Sequence, residues 1–129
     1  MGMPVVHFEI IGTDPQRLRS YYGDLFDWRF DVASDAAEAV SAPGHYGFVQ
    51  PDNGGIPGGV GGGADYPHRT LFYVGVPDVE AALRRAESLG GTRVSGPHPN
   101  PDGTLLVGFF TDPEGHLVGL AAAAPATAR

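Results

Sequence analysis

The chain repeats itself. Laid over itself with position 7 on position 71, it sets His7 on Leu71, Asp14 on Asp78, Leu18 on Ala82, Leu25 on Leu89 and Phe30 on Val94. Farther along the loop lengths differ and the spacing slips, which sets Gly47-Phe48 over Gly108-Phe109. A fixed internal period marks an architecture assembled from copies of one supersecondary unit. Two βαβββ units are therefore predicted, over residues 4–63 and 68–122, joined near Asp65 to His68 within one domain of 129 residues.

Each copy opens on a strand. Val5-Val6-His7-Phe8-Glu9-Ile10-Ile11 is rich in β-branched and aromatic residues, as is Thr70-Leu71-Phe72-Tyr73-Val74-Gly75-Val76. Alternation places Val5, His7, Glu9 and Ile11 on one face of the first strand and the apolar stripe Val6, Phe8 and Ile10 on the other. That stripe is expected to pack on helices. Thr13 or Asp14 can cap the first helix, with Pro15 in its first turn, where a missing N–H costs nothing. The helix is predicted over Asp14 to Phe26, with Leu18, Tyr21, Tyr22 and Leu25 at helical spacing. Its counterpart runs over Val79 to Leu89 and is closed by Gly90-Gly91. Further strands are predicted over Trp28 to Val32, Glu38 to Ser41, Tyr46 to Gln50, Ile56 to Gly61, Thr92 to Ser95, Leu105 to Thr111 and His116 to Ala121. A frayed tail is expected over 123–129.

Composition removes whole classes of function. There is no cysteine, hence no disulfide, thiolate zinc site, iron–sulfur cluster or cysteine nucleophile. All eight basic residues are arginine, against fifteen acidic ones, for a formal net charge of −7. No basic face is present for nucleic acid or for an anionic membrane surface. No apolar stretch reaches the ~18 residues of a membrane span, and the first residues show no signal-peptide pattern. A cytoplasmic protein is expected.

The glycine-rich stretch Gly54 to Gly63 invites a phosphate-loop reading, but that motif needs a lysine and the chain has none. Gly59, Gly61 and Ala64 match a loose dinucleotide fingerprint, yet Asp65-Tyr66-Pro67 follows where a helix should receive the pyrophosphate. Strand and turn glycines are the better account. No nucleophile elbow and no paired-histidine zinc helix occurs.

The combination of features resembles one family. A histidine in the first strand is followed seven residues on by a helix-opening aspartate (His7, Asp14). Tyr21-Tyr22-Gly23-Asp24-Leu25-Phe26 closes that helix, and Asp112-Pro113-Glu114-Gly115-His116 precedes the last strand. In this order, within a duplicated βαβββ unit, they resemble the vicinal oxygen chelate superfamily of glyoxalase I, bleomycin-resistance proteins and extradiol dioxygenases. The likeness spans residues 4 to 122. It implies an α+β fold whose two units form one curved, cup-shaped mixed sheet with helices on its outer face. It also implies a homodimer.

Metal enzymes of that superfamily hold a divalent ion on the concave face. One ligand comes from the first strand of each unit, and the rest from each unit's last strand. Carried onto this chain, those slots fall on His7, Leu71, Gly119 and the pair Gly58-Gly59. Only His7 can ligate. A lone imidazole does not hold zinc or magnesium tightly, so no metal and no other cofactor is expected in those slots. His45, His68 and His116 are further donors that the sequence does not place at the cup.

The candidate site is therefore organic. His7 and Glu9 face together as an acid/base pair or as ligand anchors; a hydrogen-bonded structural pair is the alternative. Tyr73 and Arg69, on the same face as Leu71, offer a hydroxyl-bearing wall and an anion anchor, or else a core tyrosine and a rim arginine. Phe48, Phe109 and Phe110 can stack on an aromatic ligand or fill the core. Leu71 and Gly119 would line the floor where the metal otherwise stands. His98 reads as part of a stiff exposed loop, and His116 as the end of a turn. The first expectation is a cup that binds a small organic molecule, as in the bleomycin-resistance relatives. The second is a lyase or isomerase, metal-independent or with an atypical metal held by unorthodox ligands, using His7 as general base with a pKa near neutrality. The third is a dimeric structural protein with a filled cup.

Overall fold

The computed structural model describes residues 2–52 and 54–124. The chain runs β1 (Val5–Gly12), α1 (Pro15–Phe26), β2 (Phe30–Asp31), β3 (Gly47–Val49), β4 (Gly58–Gly62), β5 (Arg69–Gly75), α2 (Val79–Ser88), β6 (Thr92–Pro99), β7 (Leu105–Thr111) and β8 (Leu117–Ala123). The strands form one sheet in the order β2-β3-β4-β1-β5-β8-β7-β6. β1 lies parallel to β4, and β5 parallel to β8, while β1 and β5 meet antiparallel at the centre. The duplication is visible in the register. His7 faces Tyr73 and Glu9 faces Leu71, the pairing that a two-fold relation between the units requires.

The repeated aspartates cap the helices. Asp14 accepts from the Arg17 N–H at 3.2 Å and Asp78 from the Ala81 N–H at 3.0 Å, satisfying a backbone donor that the first turn leaves free. The helices differ in how well they are seated. α2 buries Val79 and Leu83 against Leu120 and Ala122. α1 buries only Pro15, and the expected apolar face is largely exposed, with Tyr21 at 60% and Leu25 at 55%. β4, which packs beneath α1, carries Val60 as its one side chain among four glycines, so the helix finds little to grip.

Three further expectations change. Glu38–Ser41 forms a turn, not a strand; Val40 and Ser41 donate backbone N–H groups to the Ala37 carbonyl, a local closure that competes with ladder pairing. His98 lies inside β6, opposite Val107, and not in an exposed loop. β8 runs through Ala123, and the expected tail beyond it falls on 125–129, outside the described residues.

The larger core cluster occupies the concave side and contains Ile11, Val40, Tyr46, Leu71, Tyr73, Val107 and Phe109.

Candidate functional site

The two central strands set the site. Their alternation turns His7 and Glu9 from β1, and Arg69, Leu71 and Tyr73 from β5, toward the concave side. Tyr46, just before β3, reaches over the glycine strand to join them.

Glu9 is only 1% exposed. Its carboxylate accepts from the Tyr73 hydroxyl, at 2.8 Å to Oε2 and 2.9 Å to Oε1, and from the Tyr46 hydroxyl at 2.9 Å. Arg69 Nη2 stands 3.6 Å from Oε2, its guanidinium 4.6 Å above the Phe109 ring. A buried carboxylate without such partners would cost several kcal/mol, about 3–5 once one partner of a pair is removed. The Tyr46 oxygen also lies 2.8 Å from His7 Nε2. With Glu9 ionised and the single Tyr46 hydroxyl proton directed to it, Nε2 carries its own hydrogen and donates to Tyr46, which leaves Nδ1 as an acceptor. Among the described residues nothing hydrogen-bonds to Nδ1, and it is not sealed inside the protein.

Electrostatics reverse the expected roles. Burial lowers the His7 pKa to about 4, so the imidazole is neutral at physiological pH and a weaker base than an exposed one. Burial raises Glu9 to about 7, against the opposing pull of the Tyr73 hydrogen bond, the Arg69 charge and the Tyr46 hydrogen bond. Both tyrosines are pushed above their ordinary value by burial and by the Glu9 charge. The group poised near neutrality is the carboxyl, not the imidazole, because a desolvated acid and a desolvated base shift in opposite directions.

A cavity of about 290 Å³ opens beside this cluster. His7, Glu9, Phe48 and Tyr73, all singled out from sequence, line it. The other four do not. Phe109 is 1% exposed and supports Arg69, Leu71 is packed in the core, and Gly119 lies beneath the Tyr73 ring. Tyr46 was the residue that sequence reasoning missed. Its signal was the strand period itself, which puts it two positions before Phe48 on the same face. Asp35, Gln50 and Asn100 also line the cavity from loops whose course no periodicity gives.

The residues present do not fit the divalent ion that the superfamily implies. Leu71 has no donor atom. A Cβ on Gly119 would lie 2.6 Å from the Tyr73 ring, and one on Gly59 would fall inside the Tyr46 ring. The two tyrosines fill the space that ligating side chains would need. Among the described residues no three His, Asp or Glu side chains gather into a metal-binding group. His45, His68 and His116 are exposed and apart, His68 beside Thr13 and His116 on Asp112.

A sheet built from two βαβββ copies, with its polar cluster at the seam of the first strands, defines a cup of the vicinal oxygen chelate type. The chain belongs to the Glyoxalase/Bleomycin resistance protein/Dioxygenase superfamily, whose family description matches residues 5–120. A glyoxylase-like domain-containing protein of Didymella fabae is 29% identical over 120 residues, covering 84% of each chain. Methylmalonyl-CoA epimerase from Mycobacterium tuberculosis shares the fold with a TM-score of 0.68 at 16% identity, over 94% of this chain and 88% of that one. A hypothetical protein from Bacillus halodurans C-125 aligns over the full length of both chains with a TM-score of 0.66 at 14% identity. Identities this low carry the fold and not the chemistry. No helix among the described residues is long and apolar enough to cross a membrane.

Proposed function

We propose that this protein binds a small organic molecule in the cup without help from a metal ion. The observation that carries the reading is the replacement of the family's ligand positions by Leu71, Gly59 and Gly119, with Tyr46 and Tyr73 laid over the glycines, while a hollow stays open beside His7. Its walls combine aromatic rings with a few convergent polar groups, the usual make-up of a small-molecule site. The open hollow supports this reading over a cup filled by its own side chains. Homodimer formation and a cytoplasmic location belong to the same proposal. The test is a fragment screen by protein-observed NMR on dialysed protein, with elemental analysis of the same sample. Binders that shift His7 and Tyr46 resonances in metal-free protein are expected. Binding only after a divalent ion is restored would end the proposal.

A second reading rests on the Glu9–Tyr46–His7 chain. Glu9, held near neutrality, would take a proton from a carbon acid and return it, as an isomerase or lyase requires. Solvent deuterium appearing at carbon in a bound ligand, and lost in Glu9→Gln, is the outcome that would promote it over simple binding.

A further inference from the structure

Charge is sorted across the fold. Between Arg29 and Arg69 the chain holds no Arg or Lys, and among the described residues none follows Arg93. Those two stretches supply the loops around the cavity, which is lined from 35–40, 46–50, 57–58 and 100–107. The charged side chains carried by these segments or next to them in sequence are acidic: Asp35, Glu38, Asp52 and Asp102, all exposed. Arg19 reaches the His45 carbonyl at 2.7 Å but is not among the residues that line the cavity. Asp35 itself lines the cavity. Arg69 touches the lining residue Glu9 but itself stands outside the lining, stacked on Phe109 and paired with the Glu9 carboxylate.

The interior agrees with the rim. The Tyr46 and Phe48 rings meet edge to face at 4.7 Å, and His7 stands 6.2 Å from Phe48. Aromatic faces attract a cation at short range, and His7 Nδ1 offers a lone pair to a donor. A carboxylate or phosphate would meet acidic side chains on entering and no Arg or Lys in the lining. Like-charge walls of low dielectric focus that repulsion, as they focus attraction for the opposite sign. The volume of about 290 Å³ lies near the lower end for ligand cavities, roughly 300–1,000 Å³, which suits a single ring system.

Resting on the binding function argued above, we propose that the cup selects a small ring-bearing amine in its protonated form and rejects anions of the same shape. The ring lies against Tyr46 and Phe48, and the ammonium donates toward His7 and the acidic rim.

Three probes of one size separate the possibilities: benzylamine, benzyl alcohol and benzoate, titrated into dialysed protein at pH 7 and followed by NMR at 20 mM and 500 mM salt. Benzylamine is expected to bind about tenfold or more tightly than benzoate at low salt, with the gap narrowing at high salt as exposed charges are screened. Asp35→Asn keeps an acceptor for the Gly44 N–H, which Asp35 holds at 2.6 Å. It should reduce the amine-to-benzoate ratio by about threefold, the size of one exposed charge pair. Equal or tighter binding of benzoate overturns the cation preference and leaves the binding function standing. Saturation by none of the three at millimolar concentration overturns both. A preference that ignores salt and Asp35→Asn also overturns it, because the rim would then not be its source.

Discussion

The hydroxyl of Tyr73 donates to the carboxylate of Glu9, and the two residues hold the same place in their respective units. Glu9 falls on Tyr73 when His7 is laid on Leu71, and the contact at 2.8 Å crosses the seam between the copies. Duplication gave the chain two equivalent positions on the concave face, and sequence divergence made one an acceptor and the other its donor. The same asymmetry governs the neighbouring pair. His7 keeps a polar side chain at a position where the second unit has Leu71, buried at 6% exposure. The cup is therefore symmetric in backbone and one-sided in chemistry.

Removing that donor tests how far the carboxylate depends on it. Tyr73→Phe keeps the ring over Gly119 but takes a hydrogen bond from a buried charge. The expected loss is about 1–3 kcal/mol, read as a lower denaturation midpoint in urea. The Glu9 pKa should rise above its present value of about 7, because the Tyr73 bond is the largest influence holding it down. Carbon-13 NMR of the side-chain carboxyl follows that titration directly.

Opposite shifts at His7 and Glu9 make a second prediction. Glu9 is raised from 4.5 to about 7, so between those values the native state holds a proton that the unfolded chain has lost, and stability falls as pH rises. His7 is lowered from 6.5 to about 4, so the unfolded chain holds the extra proton and stability rises with pH over that window. Each slope is ~1.4 kcal/mol per pH unit, and from roughly 4.5 to 6.5 they cancel. Glu9→Gln should uncover the His7 slope, so that stability climbs by roughly 3 kcal/mol relative to the parent across that window. Urea denaturation at four pH values decides it, and parallel profiles for parent and variant would contradict the shift at Glu9.

Architecture was legible because it is written twice. The repeat fixed the unit, the two capping aspartates fixed the helix starts, and strand alternation turned His7, Glu9 and Tyr73 to one side. What sequence reading missed depends on distance across the sheet. Nothing local in Tyr46 reveals that it bridges His7 and Glu9, since those contacts span 39 and 37 positions. Periodicity likewise gave helical spacing to Tyr21 and Leu25 without saying that both stay exposed. The expected near-neutral pKa of His7 was missed because burial, which lowers His7 and raises Glu9, is a property of the packed cup.

Glycine at position 59 is required by the ring above it. Any Cβ there would overlap Tyr46, and β4 is buried along its length, so the backbone has little room to yield. Gly59→Ala should cost about 1–3 kcal/mol, as overpacking of a filled core does. It should also push the Tyr46 hydroxyl away from both His7 and Glu9. Thermal denaturation reads the first effect, and the second appears as altered imidazole tautomer shifts in nitrogen-15 spectra. A variant with normal stability and an unchanged His7 spectrum would show that the ring over Gly59 is free to move.

Arg69 should stabilise the protein at one pH and burden it at another. Its Nε and Nη2 are buried without hydrogen-bond partners among the described residues, an arrangement that costs free energy, and its charge acts on Glu9 from 3.6 Å. At pH 5 the Glu9 carboxyl, with a pKa of about 7, is protonated, and the guanidinium has no charge to balance. At pH 8 the carboxylate is ionised and needs the cation. Arg69→Met keeps an apolar chain over Phe109 and removes both donors and charge. It should be neutral or stabilising at pH 5 and destabilising by about 1–3 kcal/mol at pH 8, within the range for losing one partner of a largely buried pair. The difference in melting temperature between parent and variant, measured at the two pH values, should change in that direction. An equal loss at both would assign Arg69 a packing role alone.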